Sequence, residues 1–252
     1  MSDRIESLTA AILAGGLGTR LRPVVGKNQK TIASVAGKPF LFYLLDQIAS
    51  AGVKRVVILA GYRAGDVRSV LGTRYGDLTV TYSEEPSPLG TGGALRFALP
   101  ALDSDPVLAM NGDSYCRTDL RSLWANHRAS GANATLVVRR VQDTRQSGRV
   151  CFDKRRMIAS FVEKGTGKGP GWINAGIYLL SRRLIESIPS DRPVSIEREI
   201  FPAWIGRGLL AHPTRGQFID IGTPEFFDAA QRFFKPHGSL RLRPPRHRRR
   251  RW

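Results

Sequence analysis

Apolar and polar positions alternate in blocks along the first half of the chain. Residues 8–14 form a short apolar run that stops at Gly15 and Gly16, the mark of a buried strand feeding a loop. Residues 40–50 carry apolar side chains at helical spacing with Pro39 at the first turn, which predicts a helix. Residues 55–60 read as the next buried strand, 66–71 as a short helix and 78–82 as a third strand. A glycine-rich loop and a helix over 92–99 follow, then a fourth strand over 106–110 that runs into Asn111-Gly112-Asp113. Thr118 stands where it would cap a helix reaching residue 128. Strands separated by helices predict a mainly parallel sheet covered on both faces.

The rhythm then changes. Residues 134–140, 149–152 and 157–162 are short strand-like runs between polar turns. A strand over 173–180, a helix over 182–188 and a late strand over 218–221 come next. Thr223-Pro224-Glu225 opens a helix over 226–234. The expectation is one α/β domain over residues 1–235 with an elaborated, partly antiparallel second half.

Charge adds one feature. The 252 residues hold 39 Lys and Arg against 21 Asp and Glu, a formal net charge of +18, which points to anionic partners. Seven arginines and no acid lie beyond residue 235; without them the balance is +11. Pro244 and Pro245 oppose a continuous helix there, so 236–252 is expected to be a disordered, solvated basic tail. Contact with anionic surfaces or RNA, steering of substrates, and assembly into a homo-oligomer stay open beside that reading. No nucleic-acid-binding motif accompanies the tail, and no specific nucleic acid is expected. Two cysteines, Cys116 and Cys151, exclude a disulfide scaffold and a CxxC knuckle. No apolar run reaches the ~18 residues of a membrane span, and residues 1–7 lack a signal-peptide pattern. A cytoplasmic enzyme or binding protein is the expectation.

The strongest local signal is Ala14-Gly15-Gly16-Leu17-Gly18-Thr19-Arg20-Leu21-Arg22. Glycines after a strand turn tightly and let amides face an anion, and Arg20 and Arg22 add charge where phosphate would sit. A dinucleotide fingerprint fails because Leu21 holds its third glycine position; a Walker pattern fails because Leu21 also stands five residues before Gly26-Lys27 and Asn28 replaces Ser or Thr. The residues alone leave an ordinary tight connection open. Asp113, at the carboxyl end of an apolar strand, suits a Mg²⁺ ligand or a loop aspartate equally. Asp220, 107 positions later, reads as a turn residue before Gly222. The glycines over 89–94 allow close backbone approach to a flat base, or serve a tight turn before a helix. His127 has no partner at metal spacing, and no neighbouring histidine supports Cys116 as a nucleophile. Tyr62 and Arg63 read as cleft border or surface loop, and Trp172 as sugar-pocket or core aromatic.

In order along residues 8–234, seven segments resemble the sugar-1-phosphate nucleotidyltransferases. They are Leu13-Ala14-Gly15-Gly16-Leu17-Gly18-Thr19-Arg20-Leu21 followed by Lys30, Gly37-Lys38-Pro39-Phe40, Leu89-Gly90-Thr91-Gly92-Gly93-Ala94, Asn111-Gly112-Asp113-Ser114, Glu163-Lys164, Asn174-Ala175-Gly176 and Asp220-Ile221-Gly222-Thr223. The resemblance implies a Rossmann-like fold with a partly antiparallel, sugar-binding second half. It also implies attack of a sugar 1-phosphate on the α-phosphorus of an NTP, with release of pyrophosphate. Arg20, Lys30, Asp113, Lys164 and Asp220 would carry the chemistry, with Asp113 and Asp220 around Mg²⁺. Leu13, Ala14, Gly15, Gly16, Gly18, Thr19, Leu89, Gly90, Thr91 and Gly92 would join Arg20 and Lys30 in binding the nucleotide. Gly112, Glu163, Asn174 and Gly176 would join Lys164 at the sugar phosphate. Residues 111–115, 195–202 and 218–222 lean toward the branch that uses GTP and D-glycero-α-D-manno-heptose 1-phosphate. A hexose 1-phosphate with UTP, CTP, ATP or dTTP, and an inactive nucleotide-sugar sensor, are the alternatives. The family commonly has proline on both sides of the lysine; here Gln29 and Thr31 flank Lys30, which predicts a looser loop, and Lys27 is a second lysine nearby.

Overall fold

The computed structural model describes residues 4–26, 29–145, 148–162 and 169–235. Its strands are β1 (Thr9–Leu13), β2 (Ser34–Val35), β3 (Lys38–Pro39), β4 (Arg55–Ala60), β5 (Arg74–Tyr75), β6 (Leu78–Glu84), β7 (Val107–Asn111), β8 (Ser114–Cys116), β9 (Ala134–Val141), β10 (Arg149–Phe152), β11 (Ile158–Val162), β12 (Gly171–Leu180), β13 (Leu209–Thr214) and β14 (Phe218–Asp220). Its helices are α1 (Arg22–Val25), α2 (Phe40–Ser50), α3 (Ala64–Leu71), α4 (Gly90–Ala98), α5 (Leu120–Ser130), α6 (Arg182–Glu186), α7 (Phe201–Ala203) and α8 (Pro224–Phe233). Among the described residues, no helix is long and apolar enough to cross a membrane.

The main sheet is built around β1, which pairs in parallel with β4 on one side and β7 on the other; β6 extends the parallel set beyond β4. β1 is therefore covered on both faces, and that is why its sequence is a continuous apolar run rather than an alternating one. Ala10 and Ile12 face one core, which receives Phe40, Leu44 and Ile48 of α2, Leu123 of α5 and Phe227 of α8. Ala11 faces a second core with Leu95 of α4, Leu184 of α6 and Phe201 of α7. The four-residue spacing of Phe40, Leu44 and Ile48 on α2 is the helical stripe that fills the first core. Beyond β7 the sheet turns antiparallel through β12, which also pairs with β9 and β10; β13 then runs parallel to β9. The predicted mixed α/β class, mainly parallel at the centre and partly antiparallel later, is the observed one.

Several local expectations change. Asp119, not Thr118, caps α5: its carboxylate accepts the backbone N–H groups of Arg121 at 2.9 Å and Ser122 at 3.2 Å, two orphan donors at once. α4 begins at Gly90 rather than Gly92, and Leu99–Ala101 continues it as a 3₁₀ turn. α6 stops at Glu186. β8 and β13 are absent from the sequence reading. β8 is three residues long, and β13 contains Pro213, which demotes a strand on pattern alone. β8 matters because β14 pairs with it antiparallel and sets Asp220 opposite Ser114.

Candidate active site

The parallel strands deliver their carboxyl ends to one edge, where α/β sheets gather ligands. A cleft of about 250 Å³ opens there. Leu13, Ala14, Gly15, Gly16 and Leu17 form one wall, and Gln29, Lys30 and Thr31 a second. Glu85, Pro88, Gly90, Thr91 and Ala94 form a third, and Asn111 and Asp113 close it. A second cleft of about 230 Å³ shares Asn111 and Asp113 and continues past Ser114, Asn174, Gly176, Glu197 and Asp220. Two pockets thus meet at one carboxylate.

Asp113 is held there by close packing at Gly112. The Gly112 N–H donates to Leu13 O at 3.0 Å, and a Cβ on Gly112 would lie 2.5 Å from that oxygen and 3.0 Å from Thr31 Cγ2. Only glycine lets the strand end come this close to β1. Lys30 Nζ forms an ion pair with Asp113 Oδ2, and Ile221 N donates to Asp113 O at 2.9 Å. Asp220 Oδ1 accepts the Gly222 N–H, and a Cβ on Gly222 would sit 2.6 Å from Asp220 Oδ1 and 3.6 Å from Arg20 Nη2. Folding therefore brings Arg20, Lys30, Asp113 and Asp220 to one rim, although Arg20 itself is exposed and lines neither cleft.

The Lys30 loop is firmly fastened, contrary to the looser loop expected from its missing prolines. Gln29 is buried; its amide donates to Ala14 O, and its carbonyl oxygen accepts both the Thr31 N–H and the Thr31 hydroxyl. A side-chain bracket replaces proline as the device that fixes Lys30.

Of the predicted nucleotide contacts, Leu13, Ala14, Gly15, Gly16, Lys30, Gly90 and Thr91 line the first cleft. Gly18, Thr19, Leu89 and Gly92 do not. Gly18, with φ +59°, turns the chain where a Cβ would lie 3.3 Å from Lys30 Cβ. Gly90 and Gly92 pack on the backbone of Val194: their Cβ positions would fall 2.6 and 3.2 Å from Val194 O. The 89–94 glycines thus serve inter-segment packing as much as ligand access. Asn174 and Gly176 line the second cleft, where β12 has an irregular register against β9 and Gly176 adopts φ +73°. Glu163, Lys164 and Lys27 lie outside the described residues, as does the basic tail.

Sequence reasoning missed Glu85 and Glu197. Glu85 follows β6, and its Oε1 rests where Cβ atoms on Gly15 and Gly61 would otherwise be; its Oε2 accepts the Leu89 N–H at 3.2 Å. Burial pushes its pKa up. Its position just before Pro86-Ser87-Pro88 was the available signal. Glu197 comes from a π-helical turn, Ile196–Ile200, which no periodicity in the sequence announces. Among the remaining candidates, His127 is buried against Thr135 Oγ1 at 2.8 Å, and burial lowers its pKa to about 4. Burial also pushes the Cys116 thiol up to about 12, which removes it as a nucleophile. Trp172 packs on Phe152 at 5.4 Å, and Arg63 pairs with Asp66; neither residue, nor Tyr62, lines the two clefts.

The first pocket thus carries a glycine-rich turn and a lysine, Asp113 stands at the junction, and Asp220 lines the polar second pocket. The nucleotidyl transferase family model matches residues 9–235, and the chain belongs to that family. It is 37% identical over 230 residues to the mannose-1-phosphate guanylyltransferase of Mycobacterium tuberculosis, covering 88% of this chain and 63% of that protein. It is 32% identical over 226 residues to the D-glycero-alpha-D-manno-heptose 1-phosphate guanylyltransferase of Aneurinibacillus thermoaerophilus, covering 89% and 97%. The crystal structure of HddC from Yersinia pseudotuberculosis superposes with a TM-score of 0.81 at 34% identity, covering 90% of this chain and 100% of HddC. HddC complexed with GMP-PN gives a TM-score of 0.80. The chain spans about three fifths of the length of the mannose-1-phosphate guanylyltransferases it matches.

Proposed function

We propose that the chain transfers a guanylyl group from GTP to a sugar 1-phosphate, D-glycero-α-D-manno-heptose 1-phosphate, releasing pyrophosphate. The observation that carries this reading is the pair of clefts that share Asn111 and Asp113. One is lined by the glycine-rich turn and Lys30, the other by Asn174 and Gly176. An acceptor phosphate in the second cleft then faces the α-phosphorus in the first. Its oxygen forms the new P–O bond as the bond to the β-phosphate oxygen breaks, so the protein needs no nucleophile of its own.

Guanine is favoured by Glu85. Its carboxylate offers only acceptors, and the guanine edge presents N1–H and N2–H₂ together, which no other common base does. The relatives named as guanylyltransferases and the GMP-PN complex of HddC support the same donor. The heptose acceptor is supported by the 32% identity over 226 residues to the relative named D-glycero-alpha-D-manno-heptose 1-phosphate guanylyltransferase. The higher identity to the mannose-1-phosphate enzyme makes mannose 1-phosphate the second reading.

Lys30 and Arg20 would stabilise charge on the transferred phosphate and the leaving pyrophosphate. Lys164 would hold the acceptor phosphate, and Asn174 would orient the sugar through its donor and acceptor. Asp113 and Asp220 fit a divalent cation: two carboxylates lining one cleft, completed by substrate phosphates, are the donor set Mg²⁺ takes. Bound Mg²⁺ would supply neutralising charge at the triphosphate. The deciding experiment is pyrophosphate release across five NTPs and three acceptors: heptose, mannose and glucose 1-phosphate. The reading requires the highest kcat/KM for GTP with the heptose phosphate. A preference for another pair overturns the substrate assignment, and no turnover with any pair overturns the reaction.

A further inference from the structure

The two clefts are joined by a second connection, besides the Asn111 and Asp113 that both share. Thr91 on the nucleotide side donates its hydroxyl to Glu197 Oε2 at 2.7 Å and accepts the Ile196 N–H at 2.9 Å. Ser195 Oγ reaches the same Glu197 oxygen at 3.3 Å. On the other side, the wholly buried Tyr178 hydroxyl accepts the Asn174 amide at 2.6 Å and donates across 3.5 Å to Glu197 Oε1. Asn174 Oδ1 in turn accepts the Gly176 N–H at 3.0 Å. Main-chain bonds clamp the same two segments: Gly92 N to Val194 O and Val194 N to Leu89 O, both 2.8 Å. The absence of a Cβ at Gly90 permits this approach.

We infer that Glu197 is a positioning residue that holds the nucleotide wall, through Thr91, in register with the acceptor wall, through Tyr178 and Asn174. This rests on the proposed transfer reaction. In-line displacement needs the attacking oxygen and the α-phosphorus aligned, and each is carried by a different segment of the chain. Loop 89–94 and strand β12 have no direct side-chain bond between them among those described; one carboxylate with an oxygen for each supplies the link. Losing it lets each wall keep its own ligand while the two ligands lose alignment. The effect then falls on turnover rather than on binding of either substrate. The two arms are unequal. The Thr91 arm is short and doubly bonded, whereas the Tyr178 arm is long, so the nucleotide-side variant is the more damaging.

The test is steady-state kinetics on the full chain with Glu197→Ala, Glu197→Gln, Thr91→Val, Tyr178→Phe and the Thr91→Val/Tyr178→Phe double variant. Glu197→Ala is expected to lower kcat on the order of 10–100-fold, with less than about threefold change in KM for either substrate. Glu197→Gln, which keeps an acceptor for Thr91, recovers most of kcat. Thr91→Val falls below Tyr178→Phe because it also removes the acceptor of the Ile196 N–H, and the double variant loses less than the product of the two single effects, because both act in part through Glu197. If Glu197→Ala fails to fold, the Gln variant and the double variant decide. A rise confined to acceptor KM would make Glu197 a direct sugar contact and overturn the positioning role. Multiplicative effects of Thr91→Val and Tyr178→Phe, or unchanged kcat with a lowered Tm, would also overturn it. Each of these leaves an active wild type, and so leaves the transfer reaction intact; an inactive wild type overturns both.

Discussion

Gln29→Leu tests whether the bracket around Lys30 is what holds it. Leucine nearly preserves volume but removes every hydrogen bond the side chain makes: one to Ala14 O and two from Thr31. Gln29 is 1% exposed, so the groups left behind are buried when the loop stays in place. An orphaned buried donor or acceptor costs about 1–3 kcal/mol. Ala14 O and Thr31 N are orphaned outright; both residues line an open cleft, which admits water and moves each cost to the lower half of that range. The sum is about 3 kcal/mol, a large share of the ~5–15 kcal/mol that holds a domain together. For a chain of this size that is a fall in Tm of about 6–12 °C. Thr31→Val loses only the hydroxyl bond and should cost about 1 kcal/mol. Urea unfolding of the three proteins measures the order directly, and turnover below the transition should fall about tenfold in Gln29→Leu as Lys30 loses its placement. A Gln29→Leu protein within about 0.5 kcal/mol of wild type, against an estimate six times larger, would refute the bracket. So would Thr31→Val costing more than Gln29→Leu.

Asp113→Asn and Asp220→Asn should each lower kcat by roughly 10²–10³ and raise the Mg²⁺ concentration needed for half-maximal rate; an undiminished wild-type rate in excess EDTA counts against the metal assignment. Glu85→Gln replaces an acceptor by a donor facing guanine, so kcat/KM for GTP should drop on the order of 10²-fold relative to ATP. Because burial raises the Glu85 pKa, wild-type KM for GTP should climb with acid at a pH above the usual carboxylate range, and Glu85→Gln should lose that limb. His127 is neutral in the fold, with its pKa lowered by burial from 6.5 to about 4. The unfolded chain therefore binds the extra proton first, and stability should fall as pH drops from 6.5 toward 4, by up to ~3 kcal/mol, then level off for this group. His127→Gln should flatten that window in pH-dependent melting; an unchanged slope refutes the assignment.

The apolar blocks of the first half were enough to place β1, α2, β4, α3, β6, α4 and β7, because a strand covered on both faces reads as a continuous apolar run and a helix on the sheet as an apolar stripe, whichever neighbours bury them. The glycine-rich turn was legible for a related reason: a strand that must reverse beside a ligand needs residues without Cβ atoms, and that need is written in composition. Elements whose existence depends on a distant partner were not legible. β8 is three residues that become a strand because β14, about a hundred positions later, pairs with it. The same pairing brings Asp220 to Asp113, a juxtaposition that the spacing of the two carboxylates does not contain. Gln29 looks like the loss of a proline until Ala14 and Thr31 close around it. Glu197 carries no local signal and Glu85 only the Pro86-Ser87-Pro88 that follows it, because what makes each a candidate is position: one carboxylate against glycines of two other loops, the other between two cleft walls. Local patterns encode what a segment buries, whereas the contacts between segments are chosen by the packing of the whole sheet.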